Sequence, residues 1–133
     1  MSRSDTETDI RATLGQIPSF FASMPDSTLE NEWTEFKKFQ LSDTELSARE
    51  KHLIGYAVAA AIHCQYCTYF HESATTMMGT TKAQLEEANR IASDTAKYST
   101  YLHGLRTDLG EFEKQTDEIG GHLRRQAERQ KAA

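Results

Sequence analysis

At 133 residues, with 38% hydrophobic and 26% charged side chains, the chain has the size of one soluble domain with a modest core. A formal charge of −5 and a pI near 5.5 argue against nucleic acid as a partner, because phosphate binding needs clustered Lys and Arg. The longest apolar run, Ala57 to Ile62, is far too short to cross a bilayer, so no membrane is expected as a partner.

The opening MSRSDTETD is polar and acidic with no apolar run behind it. We expect no secretory signal, and a reducing cytoplasm as the location. Residues 1–8 read as a loose arm, with a short helix from about Asp5 or Thr8 to Leu14 and Gly15 as its stop. The segment IPSFFASMP lies between two prolines and reads as an apolar connector. Its Phe20, Phe21 and Met24 are expected to cover the core or a neighbouring subunit. A helix starts near Asp26, and Leu29, Trp33, Phe36 and Phe39 fall on one stripe of it. Ser47 and Glu50 form a capping box for the next helix. There Leu53, Ile54, Ala57, Val58, Ala61 and Ile62 share a side, while Gly55, Ala59 and Ala60 make the other side small. So apolar a helix needs burial on most sides, more than this chain readily supplies, and that predicts a homo-oligomer. A further helix is expected from about Cys64 or Gln65 to Met78, closed by Gly79. Thr81 and Gln84 then cap a helix to about Ser93, with Leu85, Ala88 and Ala92 as its apolar side. A separate helix from about Asp94 to Thr107 carries Tyr98, Tyr101, Leu102 and Leu105. From Asp108 the chain is mostly charged, with acids early and bases late, an order that suits a helix dipole. Gly120 and Gly121 weaken its middle, so the segment from Asp108 is expected to be a peripheral helix or a frayed tail, loose from about 121 to 133 or ordered by a partner subunit. The chain reads as all-α, a single domain of about six to seven helices, with a buried Ala-rich helix followed by one that carries C-x-x-C.

Chemistry concentrates in IHCQYCTYFHESA, residues 62–74, which holds both cysteines, Cys64 and Cys67, and two of the five histidines, His63 and His71. On a helix, Cys64, Cys67 and His71 share one face. Cys64 lies near the helix N-terminus, where the dipole favours a thiolate. The two sulfurs are close enough to form a disulfide, and His71 can carry a proton for them. Two other readings stand beside this one. The cysteines can be small buried hydrophobes, or part of a zinc site with His71 and His52 or His63. Zinc is disfavoured because no second Cys pair exists to close a tetrahedron. His63 fits a helix junction as well as it fits catalysis, and Tyr66 reads as a packing residue. Glu50 is most simply the capping partner of Ser47.

The run SAREKHLIGYAVAAAIHCQYCTYFHESATTMMGTTKAQLEEA, within residues 46–92, resembles the carboxymuconolactone decarboxylase superfamily, and within it the alkylhydroperoxidase D-like (AhpD-like) branch. The shared features are the Ala-rich helix, then C-x-x-C-x-x-x-H, then a Gly-Thr-led helix. The resemblance implies an AhpD-like helical fold assembled as trimers or hexamers, with hexamer slightly favoured. It implies a peroxidase whose dithiol reduces a hydroperoxide substrate and is restored by a thiol or dithiol electron donor, with no cofactor and no metal. It places Cys67 at the peroxide, Cys64 as its resolving partner and His71 in a proton relay, although dipole reasoning alone favours Cys64 as the more acidic thiol. Two positions depart from the pattern; the milder is Tyr66, directly before the second cysteine, where the peroxidase prototype has His and many relatives have Tyr. Where the relay has Glu, twelve residues before the first cysteine, this chain has His52. Glu50 lies about 200° away round the helix and cannot take over. His52 can serve as a base near neutral pH. If it does not, a redox-sensing or thiol–disulfide exchange role remains. A lyase acting on a muconolactone-like acid ranks last, because that branch does not depend on a Cys pair.

Overall fold

The computed structural model describes residues 2–132, which form seven α-helices and one π-helical segment with no strand. The chain divides between Ala92 and Ser93 into two compact units. Among the described residues no helix is long and apolar enough to cross a membrane.

The first helix, α1 (Arg3–Leu14), begins earlier than the sequence suggests. Ser2 and Asp5 form a reciprocal capping box, and Gly15 ends the helix at φ 79°. Residues 2–8 are therefore not a loose arm, and Met1 lies outside the described residues. Arg3 ties the helix down. It donates to Glu7 and Asp26 at 2.6 Å each and to the carbonyls of Met24 and Ala22 at 2.9 Å each. These carbonyls lie at the C-terminal end of α2 (Ser19–Ala22), a short helix within the expected connector. Phe21 is buried there, whereas Phe20 is half exposed.

The third helix, α3 (Asp26–Phe36), presents Leu29 and Trp33 to a core shared with Ile10 and Phe21. Trp33 meets Phe21 edge-on at 5.5 Å and donates its indole N–H to Asp9 at 2.7 Å. Lys37 pairs with the same carboxylate, and these two donors hold Asp9 below the usual carboxylate range. The expected stripe stops at Phe36. Residues Lys37–Leu41 form a π-helical segment that turns Phe39 outward. A π turn takes in an extra residue and so breaks the 3.6-residue register.

In α4 (Ala48–Ala61) the Ser47–Glu50 capping box is present. The buried face, however, is Ala48, His52, Tyr56 and Ala59, while Ile54, Val58 and Ile62 are more than half exposed. The aliphatic side faces outward within this chain because His52 and Tyr56 find polar partners inside, and hydrogen-bonded polar groups are cheap to bury. The helix ends in a Schellman motif. His63 occupies its left-handed position at φ 58°, with His63 N–H to the Ala60 carbonyl and Cys64 N–H to the Ala59 carbonyl. The next helix, α5 (Gln65–Met77), ends the same way on Gly79.

The sixth helix, α6 (Lys82–Gly104), opens on the Thr81–Gln84 box. It runs through Ser93 and Asp94 without a break, so the two expected helices are one. No Gly or Pro stands between Lys82 and His103, and Asp94 pairs with Lys97 along the helix. In the second unit Arg106 takes the left-handed position at φ 53°. Asp108 then caps α7 (Leu109–Ala132) by accepting from Glu111 N–H at 2.9 Å. The tail is thus helical through Gly120 and Gly121 to Ala132, and Ala133 lies outside the described residues.

The left-handed His63 gives a direct test. A Cβ in this region costs about 1–2 kcal/mol, offset in part by the greater chain entropy of glycine. We expect His63→Gly to raise stability by roughly 0.5–1 kcal/mol in chemical denaturation. A loss of stability would show that the His63 side chain holds the corner.

Candidate functional site

The site is built at the corner between α4 and α5. The Schellman turn reverses the chain at His63 and leaves Cys64 at the N-cap of α5, with φ −90° and ψ 97°. Its sulfur accepts the Cys67 N–H at 3.2 Å, the bond that a Ser or Asp oxygen makes at other N-caps. The two Cα atoms stand 5.4 Å apart and the sulfurs are joined as a disulfide. Thr68 donates its hydroxyl to the Cys64 carbonyl at 2.9 Å, which fixes the first turn. Both cysteines are partly buried. Neither is a sequestered core thiol, and among the described residues no group of three or more His, Cys, Asp or Glu side chains is placed to hold a metal.

One turn beyond Cys67, His71 meets His52 of α4, Nδ1 to Nδ1 at 2.9 Å. His52 is fully buried, and its Nε2 lies 2.6 Å from the Gln40 carbonyl. A carbonyl only accepts, so His52 Nε2 carries a hydrogen. In the neutral ring His52 Nδ1 is then the acceptor, and His71 Nδ1–H donates to it. This chain of bonds leaves His71 Nε2 without a proton, free to take one. Burial, and after it the neighbouring His52, push the His71 imidazole below its ordinary value. The neutral, proton-accepting ring is therefore the form held near neutral pH.

The backbone makes room for this pair. A Cβ on Gly55 would stand 2.5–2.7 Å from three ring atoms of His71, so the ring lies directly against the α4 backbone. Phe70 packs on both rings, 5.5 Å from His52 and 5.1 Å from His71. It also touches Phe36 at 5.9 Å, which links the site to the N-terminal core.

The four residues singled out in the sequence thus fall into two pairs, Cys64 with Cys67 and His52 with His71. Glu50 sits apart, bonded to Ser47 N–H at 2.8 Å and Ser47 hydroxyl at 2.7 Å, which keeps its carboxyl below the usual range. Tyr66 points into solvent at 80% exposure and does not pack within this chain. One participant escaped the sequence. The Gln40 carbonyl is a backbone group in a π turn and carries no side-chain signal. Gly55 was visible as a glycine inside a helix, the usual mark of a close approach.

Residues 28–107 match the model of the carboxymuconolactone decarboxylase family. The chain belongs to this family. Its fold is that of a solved alkylhydroperoxidase AhpD core from Rhodospirillum rubrum, with a TM-score of 0.69 and 24% identity over 80% of this chain and 81% of that one. No curated protein matches the chain. The AhpD-like helical fold is therefore as the sequence suggests, with α7 lying beyond the residues that the family model covers.

Two measurements probe the site. Gly55→Ala should displace the His71 ring, lose the His52–His71 bond from the imidazole NMR spectrum, and cost about 1–3 kcal/mol of stability. An unchanged spectrum would mean that the ring is not held against α4. The depressed His71 value also sets a pH dependence. The unfolded chain binds more protons at this site than the folded one, so stability is full above pH 6.5, the ordinary imidazole value. It falls as the pH drops from there through the lower folded value. His71→Asn should flatten that slope in denaturation measured across the same range.

Proposed function

We propose that the chain is a thiol-dependent hydroperoxide reductase of the alkylhydroperoxidase D type, working in the cytoplasm through the Cys64–Cys67 couple. The observation that supports this most is the bonded cysteine pair at the N-terminus of α5, one turn ahead of an imidazole with a free Nε2. Cys67 is the sulfur that meets the peroxide. His71 Nε2 first takes the Cys67 thiol proton, the thiolate attacks the terminal oxygen, the O–O bond breaks, and the alkoxide takes that proton back from His71 and leaves as an alcohol. Cys67 is now a sulfenic acid. The Cys64 sulfur attacks it, the S–S bond forms, and hydroxide leaves with the Cys64 proton as water. Two electrons have moved from the dithiol to the peroxide, and an external thiol or dithiol donor returns them.

In this cycle His71 Nε2 collects and returns protons, and His52 takes the share of charge that the family pattern gives to a carboxylate. A proton arriving on Nε2 lets the Nδ1 proton move toward His52, whose other nitrogen stays on the Gln40 carbonyl. The chain acts as a homo-oligomer, trimer or hexamer. Its support is the exposed apolar face of α4 and α5, where Ile54, Val58, Ile62 and Met77 are all more than half exposed.

The test is peroxide consumption with a dithiol donor, followed by mass-spectrometric mapping of the thiols. Cys67→Ser should abolish turnover, and His52→Gln should lower it by about 10²-fold, the lower range for a lost acid–base partner. A Cys67→Ser protein that consumes hydroperoxide at the parent rate would sink the proposal.

The imidazole at position 52 supports a second reading, thiol–disulfide exchange or redox sensing with little peroxide turnover. That reading expects the disulfide to form once without donor-coupled cycling. The muconolactone-like lyase draws least support. It would require conversion of such a lactone by a variant lacking both cysteines.

A further inference from the structure

We propose that α7 is a self-pairing arm, which docks antiparallel on α7 of a second copy of this chain about a two-fold axis through Gly121. The argument starts from its charges. Glu111, Glu113, Asp117 and Glu118 stand 10, 8, 4 and 3 residues before Gly121. Lys131, Arg129, Arg125 and Arg124 stand 10, 8, 4 and 3 residues after it. Acids early and bases late also suit the dipole of a single helix. The dipole does not account for the two exceptions. Lys114 is the one base in the acidic half and Glu128 the one acid in the basic half, and each stands 7 residues from Gly121. Every charged residue of α7 thus has an opposite charge at the same distance on the other side of one point.

That pattern is the condition for self-complementarity under a two-fold axis, where the same surface meets itself in reverse. In two antiparallel helices centred on Gly121, each acid lies level with a base of the other copy. A parallel pair would set like charges level with like. In the antiparallel pair the acidic half of one helix, about 18 Å long, lies along the basic half of the other, and in a parallel pair it lies along a second acidic half.

The apolar spacing agrees. Leu109, Phe112, Thr116, Ile119 and Leu123 follow steps of three, four, three and four, a heptad seam. Leu109, Ile119 and Leu123 are 68%, 60% and 57% exposed. Ile119 and Leu123 each stand two residues from Gly121, so each would rest on the other residue of the second copy.

The full chain tests this by sedimentation and light scattering, with helicity checked by circular dichroism. Glu113→Arg with Asp117→Arg sets like charges level with Arg129 and Arg125 of the other copy, and should raise the dissociation constant roughly tenfold or more. Adding Arg125→Asp and Arg129→Glu should restore pairing, although all four changes oppose the helix dipole. Sodium chloride should weaken the parent association and would strengthen a parallel one. Ile119→Glu with Leu123→Glu should roughly halve the assembled mass, whatever assembly the rest of the chain forms. Four results would overturn the proposal. The half-reversed variant could associate like the parent, or the fully reversed variant could fail to recover. Association could rise with salt. Finally, the seam variant could keep its mass and lose only thermal stability, which would place that face against its own chain.

Discussion

The contact between His52 Nε2 and the Gln40 carbonyl governs the site. A carbonyl admits one kind of partner, so this bond decides which nitrogen of His52 carries hydrogen. It thereby fixes the direction of the His52–His71 bond and the nitrogen that His71 leaves open. The π-helical segment supplies that carbonyl, because the wider turn of residues Lys37–Leu41 breaks the regular helical ladder. The segment is itself tied down. Ser42 donates to the Lys37 carbonyl at 3.0 Å, and Lys51 of α4 donates to the Ser42 carbonyl at 2.9 Å. An imidazole pair oriented by a backbone carbonyl is less exposed to side-chain substitution than one oriented by a carboxylate.

The N-terminal helices support this arrangement. Arg3 clamps the α2 region, and Asp9 holds Trp33 and Lys37 together. The aromatic contacts run from Trp33 through Phe21 and Phe36 to Phe70, which lies on both imidazoles. α1 and α2 precede the residues that the family model covers. Dense aromatic packing restricts where Phe70 can lie, and Phe70 in turn restricts both rings.

The helical class, the capping boxes at Ser47 and Thr81, and the closeness of the two cysteines were legible because each rests on local chemistry at fixed spacing. Helix starts were legible only where the cap lay in plain view. The Ser2–Asp5 box was passed over in favour of reading a polar start as loose. The side of α4 that this chain itself buries was hidden for a different reason. Apolar count favoured Ile54, Val58 and Ile62, but burial inside one chain went to His52 and Tyr56. Each of these has a partner, the latter accepting from Asn89 at 2.8 Å. A sequence shows that a side chain is polar and does not show what waits for it across the fold. The left-handed turns at His63 and Arg106 were hidden because neither is glycine.

The sulfur of Cys64 does two things in the same place. It is bonded to Cys67 and also receives the Cys67 amide at 3.2 Å. A free thiolate at that position would accept the same amide, so the opening turn of α5 keeps a cap whether the bond between the sulfurs is made or broken. In the proposed dithiol–disulfide cycle this cap is therefore common to both states, and the change falls on the side chains.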